Sequence, residues 1–576
     1  MSPTASENSE VLQNETLEEE LRYPGISVSP EDIEQLARSV RRRQAVYRFK
    51  GHVPIPWVVF IGGTGTGKST IFNILCGETI SKTGVERPQT DGPILYLHRR
   101  VSLGEYFPFS ETLNNHGNED GPPPDGTAGS AGSYTIIRHE RDDLAHLILA
   151  DAPDVDSVDR RHREIVDDLY LLADYIVFIA SQEKYADAVP SSLLGRIMED
   201  GKPCLFILNK ASDSLCAHDV LSLYSRQGLT MEERNTVTIP YAPGGILNVP
   251  LNSEPLRNFR DSFFRTMTTE KSAELIDEGR KATTAILGDE IDRLVALLEA
   301  ESEESEAWRA RLDTLFLEKG RALLAAMADR YKKGNLLAIQ KEVRRVFSRY
   351  DVLAGPRRYV ARLVSMPLRL IGLRPRPQQD SRKKDLIDAG RRIDFTPVLF
   401  GIDDINRAVL EDFSPADVTA PLYRALRNPE VPLSPTEITG KLESLQEGLA
   451  AWLEDMFGKL MKGIPRHKEL GIYSTSILWG TAIISFEIVL GGGFGLLEAI
   501  LDSFIAPLVT KGSSELFAYN ELRQIARELD SRNREGLLAI LEEQKRRYHD
   551  SLLSVTTSEE TLELLRRLRK EGETSP

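Results

Sequence analysis

Residues 57–75 read WVVFIGGTGTGKSTIFNIL, and this stretch decides the fold of the first half of the chain. An apolar run is followed by a glycine-rich loop and then by a helical run, which predicts a strand, a loop and a helix in that order. Residues Gly62 to Ser69 match the pattern G-x-x-x-x-G-K-[ST], and the flanking strand and helix are the context that this pattern requires. The stretch therefore predicts a phosphate-binding loop at the end of a strand.

The residue types in this loop suit a triphosphate and its metal ion. Glycines allow backbone N–H groups to curl around phosphate oxygens, and the N-terminus of the following helix adds a positive partial charge. Lys68 would bring a positive charge to the β- and γ-phosphates, and the Ser69 hydroxyl would bind Mg²⁺. The predicted nucleotide contacts in the loop are Gly62, Gly63, Thr64, Gly65, Thr66, Gly67, Lys68, Ser69 and Thr70.

Further apolar runs alternate with helical stretches after the loop. They read YTII (134–137), LAHLILA (144–150), YIVFIA (175–180), CLFIL (204–208) and TVTI (236–239). This alternation predicts an α/β domain, a mostly parallel sheet with helices on both faces. After residue 268 helical periodicity dominates, which predicts a largely α-helical, stalk-like second half with one apolar hairpin.

Three later motifs lie at the spacing expected of a nucleotide switch. Thr90 ends the run GVERPQT, where a threonine would close over magnesium and the γ-phosphate. Asp151 ends the apolar run of LILADAPDVDS, where its carboxylate would hold the metal through water. Asn209 and Lys210 follow CLFIL at the end of a later strand, where open α/β sheets bind ligands.

The order of these motifs resembles that of the translation-factor-related GTPases, and among them the Era-like and dynamin-like bacterial GTPases. Residues 156–190, DSVDRRHREIVDDLYLLADYIVFIASQEKYADAVP, also resemble bacterial members of that group. The resemblance implies that the chain binds and hydrolyses GTP with Mg²⁺. It also implies that Thr90 and Asp151 sense the γ-phosphate, and that Asn209 and Lys210 support the base.

The chain departs from the pattern of these families at two positions. Asp154 stands where a glycine normally follows D-x-P, so the switch would move differently. Ser212 stands where the base motif N-K-x-D has its carboxylate, and Asp213 follows one residue later. A small backbone shift would bring Asp213 to the guanine base; without that shift, guanine selectivity would be weak.

Only the resemblance predicts which residues take part in catalysis. Val155 occupies the position where many small GTPases have a water-orienting glutamine, and it cannot orient water. In dynamin-like enzymes a loop residue helps, and the matching position here is Thr66; the alternative is that Thr66 only shapes the loop. Lys68 and Thr90 complete the predicted catalytic set.

A cluster of charges after the D-x-P motif has two interpretations. It would supply an arginine finger, or it would form a solvated face of a helix, the more common situation. Its members are Asp154, Asp156, Arg160, Arg161 and Arg163.

Composition places the chain among globular proteins of a reducing compartment. Its formal net charge is −15, which disfavours nucleic acid as the main partner, and no KH-type unit accompanies its arginine-rich stretch. Its 3 cysteines cannot pair evenly and lack metal-ligand spacing. We therefore expect a cytoplasmic protein, with peripheral contact at a membrane as described next.

Two segments have the composition of membrane-contacting elements. Residues 472–509 form two apolar arms around a glycine triplet and carry three acidic residues, which favours a membrane-dipping hairpin over a spanning one. Residues 355–377 carry six arginines and no acidic residue, with apolar residues between them, as an interfacial helix on anionic lipid requires. The alternative for both segments is a helical bundle in water.

These patterns divide the chain into six predicted segments. They are a disordered acidic tail (1–28), a helix that packs with the helical region (29–50), a G domain (51–268) with a flexible insertion (103–133), a helical domain (269–470), the apolar hairpin (471–510) and C-terminal helices (511–576).

The sequence leaves two functions open and suggests a third. The first is a dynamin-like GTPase that forms a homodimer or oligomer through its G domain and contacts an anionic membrane. The second is a regulatory GTPase switch that docks a protein or ribosomal partner without membrane action. The third is a scaffold that does not hydrolyse nucleotide, motivated by Asp154 and Ser212.

Overall fold

The computed structural model describes most of the chain in two compact units. The described residues are 21–81, 92–103, 107–109, 113–114, 134–157, 160–183, 188–212, 222, 224–225, 233–241, 254–349, 395–463, 481–491, 493 and 513–574. One unit comprises Glu31–Ala296 with Leu562–Pro576 and is called the α/β unit below. The other comprises Met1–Pro30 with Leu297–Thr561 and is called the helical unit.

Eight strands of the described chain form one sheet in the α/β unit. They are β1 (Trp57–Gly62), β2 (Ile94–His98), β3 (Leu113–Asn114), β4 (Tyr134–His139), β5 (Ile148–Asp151), β6 (Tyr175–Ser181), β7 (Cys204–Ala211) and β8 (Thr236–Pro240). Their spatial order is β3-β4-β2-β5-β1-β6-β7-β8. Every neighbouring pair is parallel except β2 with β5. The mostly parallel sheet predicted from the alternating pattern is therefore confirmed.

Both faces of the sheet are covered, as the uniformly apolar central strands require. In β1, Trp57 and Val59 contribute to one buried cluster, whereas Val58 and Phe60 contribute to the other. This division follows from the two-residue period of a strand. The described α-helices of this unit before residue 268 are α1 (Pro30–His52), α2 (Lys68–Cys76), α3 (Arg160–Leu172), α4 (Ala188–Glu199) and α5 (Glu254–Thr266). Residues of α1, α3 and α4 join the first cluster, and residues of α2 and α5 join the second.

The register of the parallel strands places the ends of four of them side by side. Phe60 is opposite Asp151, Gly62 is opposite Ile179, and Ser181 is opposite Asn209. The carboxyl ends of β1, β5, β6 and β7 therefore meet at one edge of the sheet. This is the edge where open α/β sheets bind ligands.

The helical unit is built from long helices around a core of its own. The described helices after α5 are α6 (Thr269–Arg349), α7 (Thr396–Asp412), α8 (Pro421–Leu426), α9 (Pro435–Gly463), α10 (481–490), α11 (Ser513–Val555) and α12 (Glu559–Thr574). α11 packs against α8 and α9. The core includes Trp308, Ile402, Leu442 and Tyr548, which are almost completely buried. The predicted helical second half is thus confirmed.

The residues just before α1 are held in place within the helical unit. The sequence pattern put residues 1–28 in one acidic tail, but Tyr23 and Gly25 are buried. The backbone N–H groups of residues 25–28 donate to the carboxylate of Glu301, which is 1% exposed. Residues 1–20 lie outside the described residues.

The described part of the predicted apolar hairpin is a buried helix. In α10, Phe486 and Val489 are 0% exposed, and the Asn533 side chain of α11 donates to the Val489 carbonyl at 2.9 Å. The rest of 472–509, and all of 355–377, lie outside the described residues, so the hairpin itself remains a prediction. Within the described ranges, no helix has both the length and the apolar character that a bilayer crossing needs.

Candidate functional site

The predicted phosphate-binding loop connects β1 to α2 at the ligand-binding edge of the sheet. Gly65 and Gly67 have φ values of 75° and 91°, in the left-handed region that glycine adopts without strain. Gly67 comes directly before the first residue of α2, Lys68. A Cβ atom at Gly67 would lie 2.3 Å from Asn209 Nδ2. The backbone conformation and the close approach of Asn209 therefore both require glycine here.

The shape of the loop is supported from within by Thr66. Its hydroxyl donates to the Gly63 carbonyl at 2.8 Å, its backbone N–H donates to the same carbonyl at 3.2 Å, and its side chain is buried. In this conformation the Thr66 hydroxyl stabilises the loop, and its catalytic role stays a prediction. Ser69 and Thr70 follow in the first turn of α2 and are partly exposed.

The two side chains of the predicted base motif, Asn209 and Lys210, contact the loop. Asn209 donates to the Thr66 carbonyl at 2.8 Å, and Lys210 donates to the Gly65 carbonyl at 2.7 Å. Asn209 and Lys210 therefore hold the backbone of two consecutive residues of the loop in place.

The strand that carries this motif contains an irregularity at the same place. Between Leu208 and Ala211, β7 advances by three residues while its partner β8 advances by two, from Thr238 to Pro240. Lys210 lies in this bulge with φ 55°, a conformation that no other non-glycine residue of the described chain adopts. After the bulge, the Ser212 N–H donates to the Gln182 side chain at 2.6 Å. Asp213 lies outside the described residues.

The loop lysine is paired with the predicted metal carboxylate. Lys68 Nζ lies 2.9 Å from Asp151 Oδ1, and both side chains are buried. Asp154 is at the edge of this pair, with Oδ1 4.0 Å from Nζ and its side chain 38% exposed. The predicted residues Lys68 and Asp151 are thus brought together, whereas Thr90 lies outside the described residues.

Another carboxylate after β5 contacts the beginning of the loop. Asp156 Oδ1 accepts hydrogen bonds from the Thr64 N–H at 2.7 Å and from the Thr64 hydroxyl at 2.5 Å. The Val155 N–H donates to the Gly62 carbonyl at 3.3 Å. The segment that follows Asp151 therefore lies directly against the phosphate-binding loop.

Comparison with known proteins finds matches among solved structures. No family model matches the chain, and no curated protein matches it. Two of the matched structures, both of low similarity, are of bacterial dynamins. Each is described as an oligomerised bacterial dynamin pair that provides a mechanism for the long-range sensing and tethering of membranes. One has a TM-score of 0.35 at 13% identity and covers 99% of this chain and 100% of its own; the other has 0.34 at 12%, with 96% of each chain covered. At this level the superposition does not decide the family of this chain.

Two residues that the motifs did not identify support Asp151. The Ser81 hydroxyl donates to Asp151 Oδ2 at 2.7 Å, and the Asn73 side chain of α2 hydrogen-bonds the backbone of Ser81. Ser81 and Asn73 are 0% and 3% exposed. An asparagine among the apolar residues of IFNILC is a detectable signal, because a buried amide needs partners.

The oxygen atoms of Ser69 and Asp151 are ligands of the kind that Mg²⁺ uses. Among the described residues, no three histidine, cysteine or acidic side chains are grouped to hold a metal ion. Mg²⁺ prefers oxygen ligands, and it is usually bound by one or two carboxylates together with phosphates and water. The Ser69 hydroxyl and the Asp151 carboxylate are of that class.

The arginines after the D-x-P motif lie on an exposed part of α3. Arg160 forms an ion pair with Glu164 one turn later, and its side chain is 79% exposed. Arg161 and Arg163 are also exposed. This arrangement is that of a solvated helix face, the more common of the two interpretations.

Proposed function

We propose that the α/β unit binds guanosine triphosphate with Mg²⁺ and hydrolyses its γ-phosphoanhydride bond. The observation that carries this proposal is the loop Gly62–Ser69, whose carbonyls are held by Asn209 and Lys210 while Lys68 begins α2. Backbone N–H groups, a helix N-terminus and a lysine converge there, and this combination binds phosphate.

When the nucleotide binds, the residues of the site would change their partners in a defined order. Lys68 would exchange Asp151 for the β- and γ-phosphates. Ser69, Thr90 and Asp151 would hold the metal and its water, and the bound Mg²⁺ would neutralise charge that develops on the phosphates. Thr66 would contact the β–γ bridging oxygen only after its hydroxyl leaves the Gly63 carbonyl.

The bulge in β7 supports a preference for guanine. One extra residue is accommodated between Leu208 and Ala211, and the base motif of this chain is also one residue longer than N-K-x-D. Asp213 would then take the role of the motif's carboxylate and accept two hydrogen bonds from guanine. A site built in this way discriminates strongly against a base that lacks those donors.

Direct binding measurements test the nucleotide proposal. We expect the full chain to bind a fluorescent guanosine triphosphate analogue with Mg²⁺, to bind the adenosine analogue more weakly, and to lose binding in Lys68→Ala. Asp213→Asn should weaken guanosine binding and favour xanthosine triphosphate, because the amide complements the carbonyl that xanthine has in place of the guanine amino group. Failure of the wild-type chain to bind any nucleoside triphosphate at millimolar concentration would end the proposal.

Pairing of two chains and contact with anionic lipid extend this proposal to a dynamin-like cycle. The support is the resemblance of the motifs and the six arginines without an acidic residue in 355–377. We expect turnover per chain to rise with protein concentration and with anionic liposomes, and the protein to float with those liposomes. Thr66→Ala should reduce the stimulated turnover if its hydroxyl acts in catalysis.

A regulatory switch without membrane action is the second candidate, and the burial of α10 favours it. Phe486 and Val489 are covered by the chain itself, so this part of the apolar segment does not face outward. Turnover that is independent of lipid and of protein concentration, combined with tight guanosine nucleotide binding, would support this candidate over the first.

A further inference from the structure

The carboxylate of Asp151 is held by two donors that belong to different parts of the site. Lys68 of the phosphate-binding loop donates to Oδ1 at 2.9 Å, and the Ser81 hydroxyl donates to Oδ2 at 2.7 Å. Asp151 and Ser81 are both 0% exposed, so water does not compete for these bonds. The two oxygens of one carboxylate therefore have separate partners.

Ser81 is itself fixed to the helix that follows the loop. The Asn73 side chain donates to the Ser81 carbonyl at 2.7 Å and accepts from the N–H groups of Ile80 and Ser81 at 3.0 and 2.8 Å. Asn73 belongs to α2, whose first two residues are Lys68 and Ser69. The hydroxyl that holds Asp151 is thus tied to the element that would carry the phosphate and metal contacts.

Nucleotide binding would break one of these two hydrogen bonds and leave the other in place. A phosphate attracts Lys68 away from Oδ1, because the triphosphate carries more charge than one carboxylate. The Ser81 bond to Oδ2 does not involve the loop and need not break. A buried carboxylate that lost both donors would be free to rotate and would be poorly solvated.

We propose that Ser81, held by Asn73, is a positioning residue that keeps the Asp151 carboxylate oriented toward the magnesium shell after Lys68 has moved to the phosphates. This inference rests on the proposed nucleotide function. Groups that orient a metal-binding side chain typically contribute tenfold to a hundredfold to metal affinity.

The experiment measures binding of a fluorescent guanosine triphosphate analogue to the full chain across Mg²⁺ concentration and in EDTA. We expect Ser81→Ala to raise the Mg²⁺ concentration for half-maximal binding by about tenfold. The affinity in EDTA should change by less than about twofold, since Lys68 and the loop are intact. Ser81→Thr should restore most of the Mg²⁺ response, because it keeps the hydroxyl.

A control separates this role from the loss of any serine–carboxylate hydrogen bond. The Ser39 hydroxyl donates to Glu290 Oε1 at 2.8 Å, and both belong to the α/β unit. Ser39→Ala should leave the Mg²⁺ response unchanged. If Ser81→Ala does not fold, Ser81→Cys serves instead, and its weaker donor should give a smaller shift in the same direction.

Three results would overturn the assignment. A Ser81 variant with a lowered Tm but an unchanged Mg²⁺ midpoint would reduce the serine to a structural partner, as would equal losses of affinity with Mg²⁺ and in EDTA. If the wild-type chain binds no nucleotide, either with Mg²⁺ or in EDTA, the proposed function and this assignment are overturned together. That result is seen before any variant is measured.

Discussion

Lys68 Nζ and Asp151 Oδ1 are 2.9 Å apart in the α/β unit, with side chains 3% and 0% exposed. The loop cation is therefore neutralised by a carboxylate of the chain itself. Under the proposed function, a phosphate would have to displace that carboxylate before it could contact Lys68. The exchange of this pair would then be the first step in nucleotide binding.

Asp151→Asn should destabilise the protein and should do so less when nucleotide is bound. The substitution leaves the Lys68 ammonium buried without a counter-charge, and breaking a buried pair from one side costs about 3–5 kcal/mol. Phosphate would supply the missing charge. We therefore expect a lowered Tm that guanosine triphosphate raises, in EDTA, by more than it raises the wild-type Tm.

The matched control is the exposed pair formed by Arg569 and Asp292. Asp292→Asn should change the free energy of unfolding by less than about 1 kcal/mol, because such pairs are screened by water. Equal Tm losses in the two variants would show that the Lys68–Asp151 pair contributes no more to stability than an exposed ion pair.

Gly67→Ala should abolish nucleotide binding, for two additive reasons. Its φ of 91° is unfavourable for alanine, and the added Cβ would collide with Asn209 Nδ2 at 2.3 Å. The collision would move the side chain that holds the Thr66 carbonyl. Binding of a fluorescent triphosphate and Tm are the measurements.

Gly201→Ala isolates the conformational strain from the collision. Gly201 has φ 64°, and a Cβ there would meet nothing within 4 Å. We expect a stability loss of about 1 kcal/mol with unchanged nucleotide affinity. If both variants bind nucleotide like the wild type, the loop is not the phosphate site.

Local sequence patterns were sufficient for the loop and for most of the sheet. Glycines, lysine and serine at fixed spacing between an apolar run and a helical run specify a strand, a turn and a helix through local conformation alone. The strand β2 (Ile94–His98) was not predicted, although all five of its residues are buried. Its position between β4 and β5 depends on pairing with segments far along the chain.

Local sequence patterns did not predict the contacts that support the site. The contact of Asp156 with Thr64 joins residues 92 positions apart, and no spacing rule relates them. The burial of α10 shows the same difficulty, because an apolar run suits lipid and a protein core equally well. In this structure Asn533, 44 residues after Val489, supplies the buried contact on that helix.

The stability of the α/β unit should fall on acidification partly through His139. Burial and the neighbouring His98 and Arg141 lower the pKa of His139 to about 4. Its Nδ1 accepts from the Arg141 N–H at 3.2 Å, which requires a neutral ring. The unfolded chain, with a pKa near 6.5, binds the proton more readily, so stability is lost as the pH falls from about 6.5 to 4.

His139→Asn tests this dependence with an acceptor retained and the titrating ring removed. Asparagine can accept from the N–H two residues later, as His139 does. We expect the variant to lose less Tm than the wild type between pH 7 and pH 4.5, whatever its Tm at pH 7. Parallel Tm curves for the two proteins would show that His139 does not contribute to the acid response.

Glu301→Gln should release the segment before α1 from the helical unit. Glu301 Oε2 accepts from the N–H groups of Gly25 and Ile26, and Oε1 accepts from Ser27 and Val28 at 2.7 Å each. Glutamine would turn an NH₂ group toward one pair of these donors, so N–H groups would face N–H groups. Each donor left without an acceptor costs about 1–3 kcal/mol. Hydrogen exchange at residues 25–28 should therefore accelerate by about tenfold or more, whereas Glu303→Gln, at an exposed position on the same helix, should leave it unchanged.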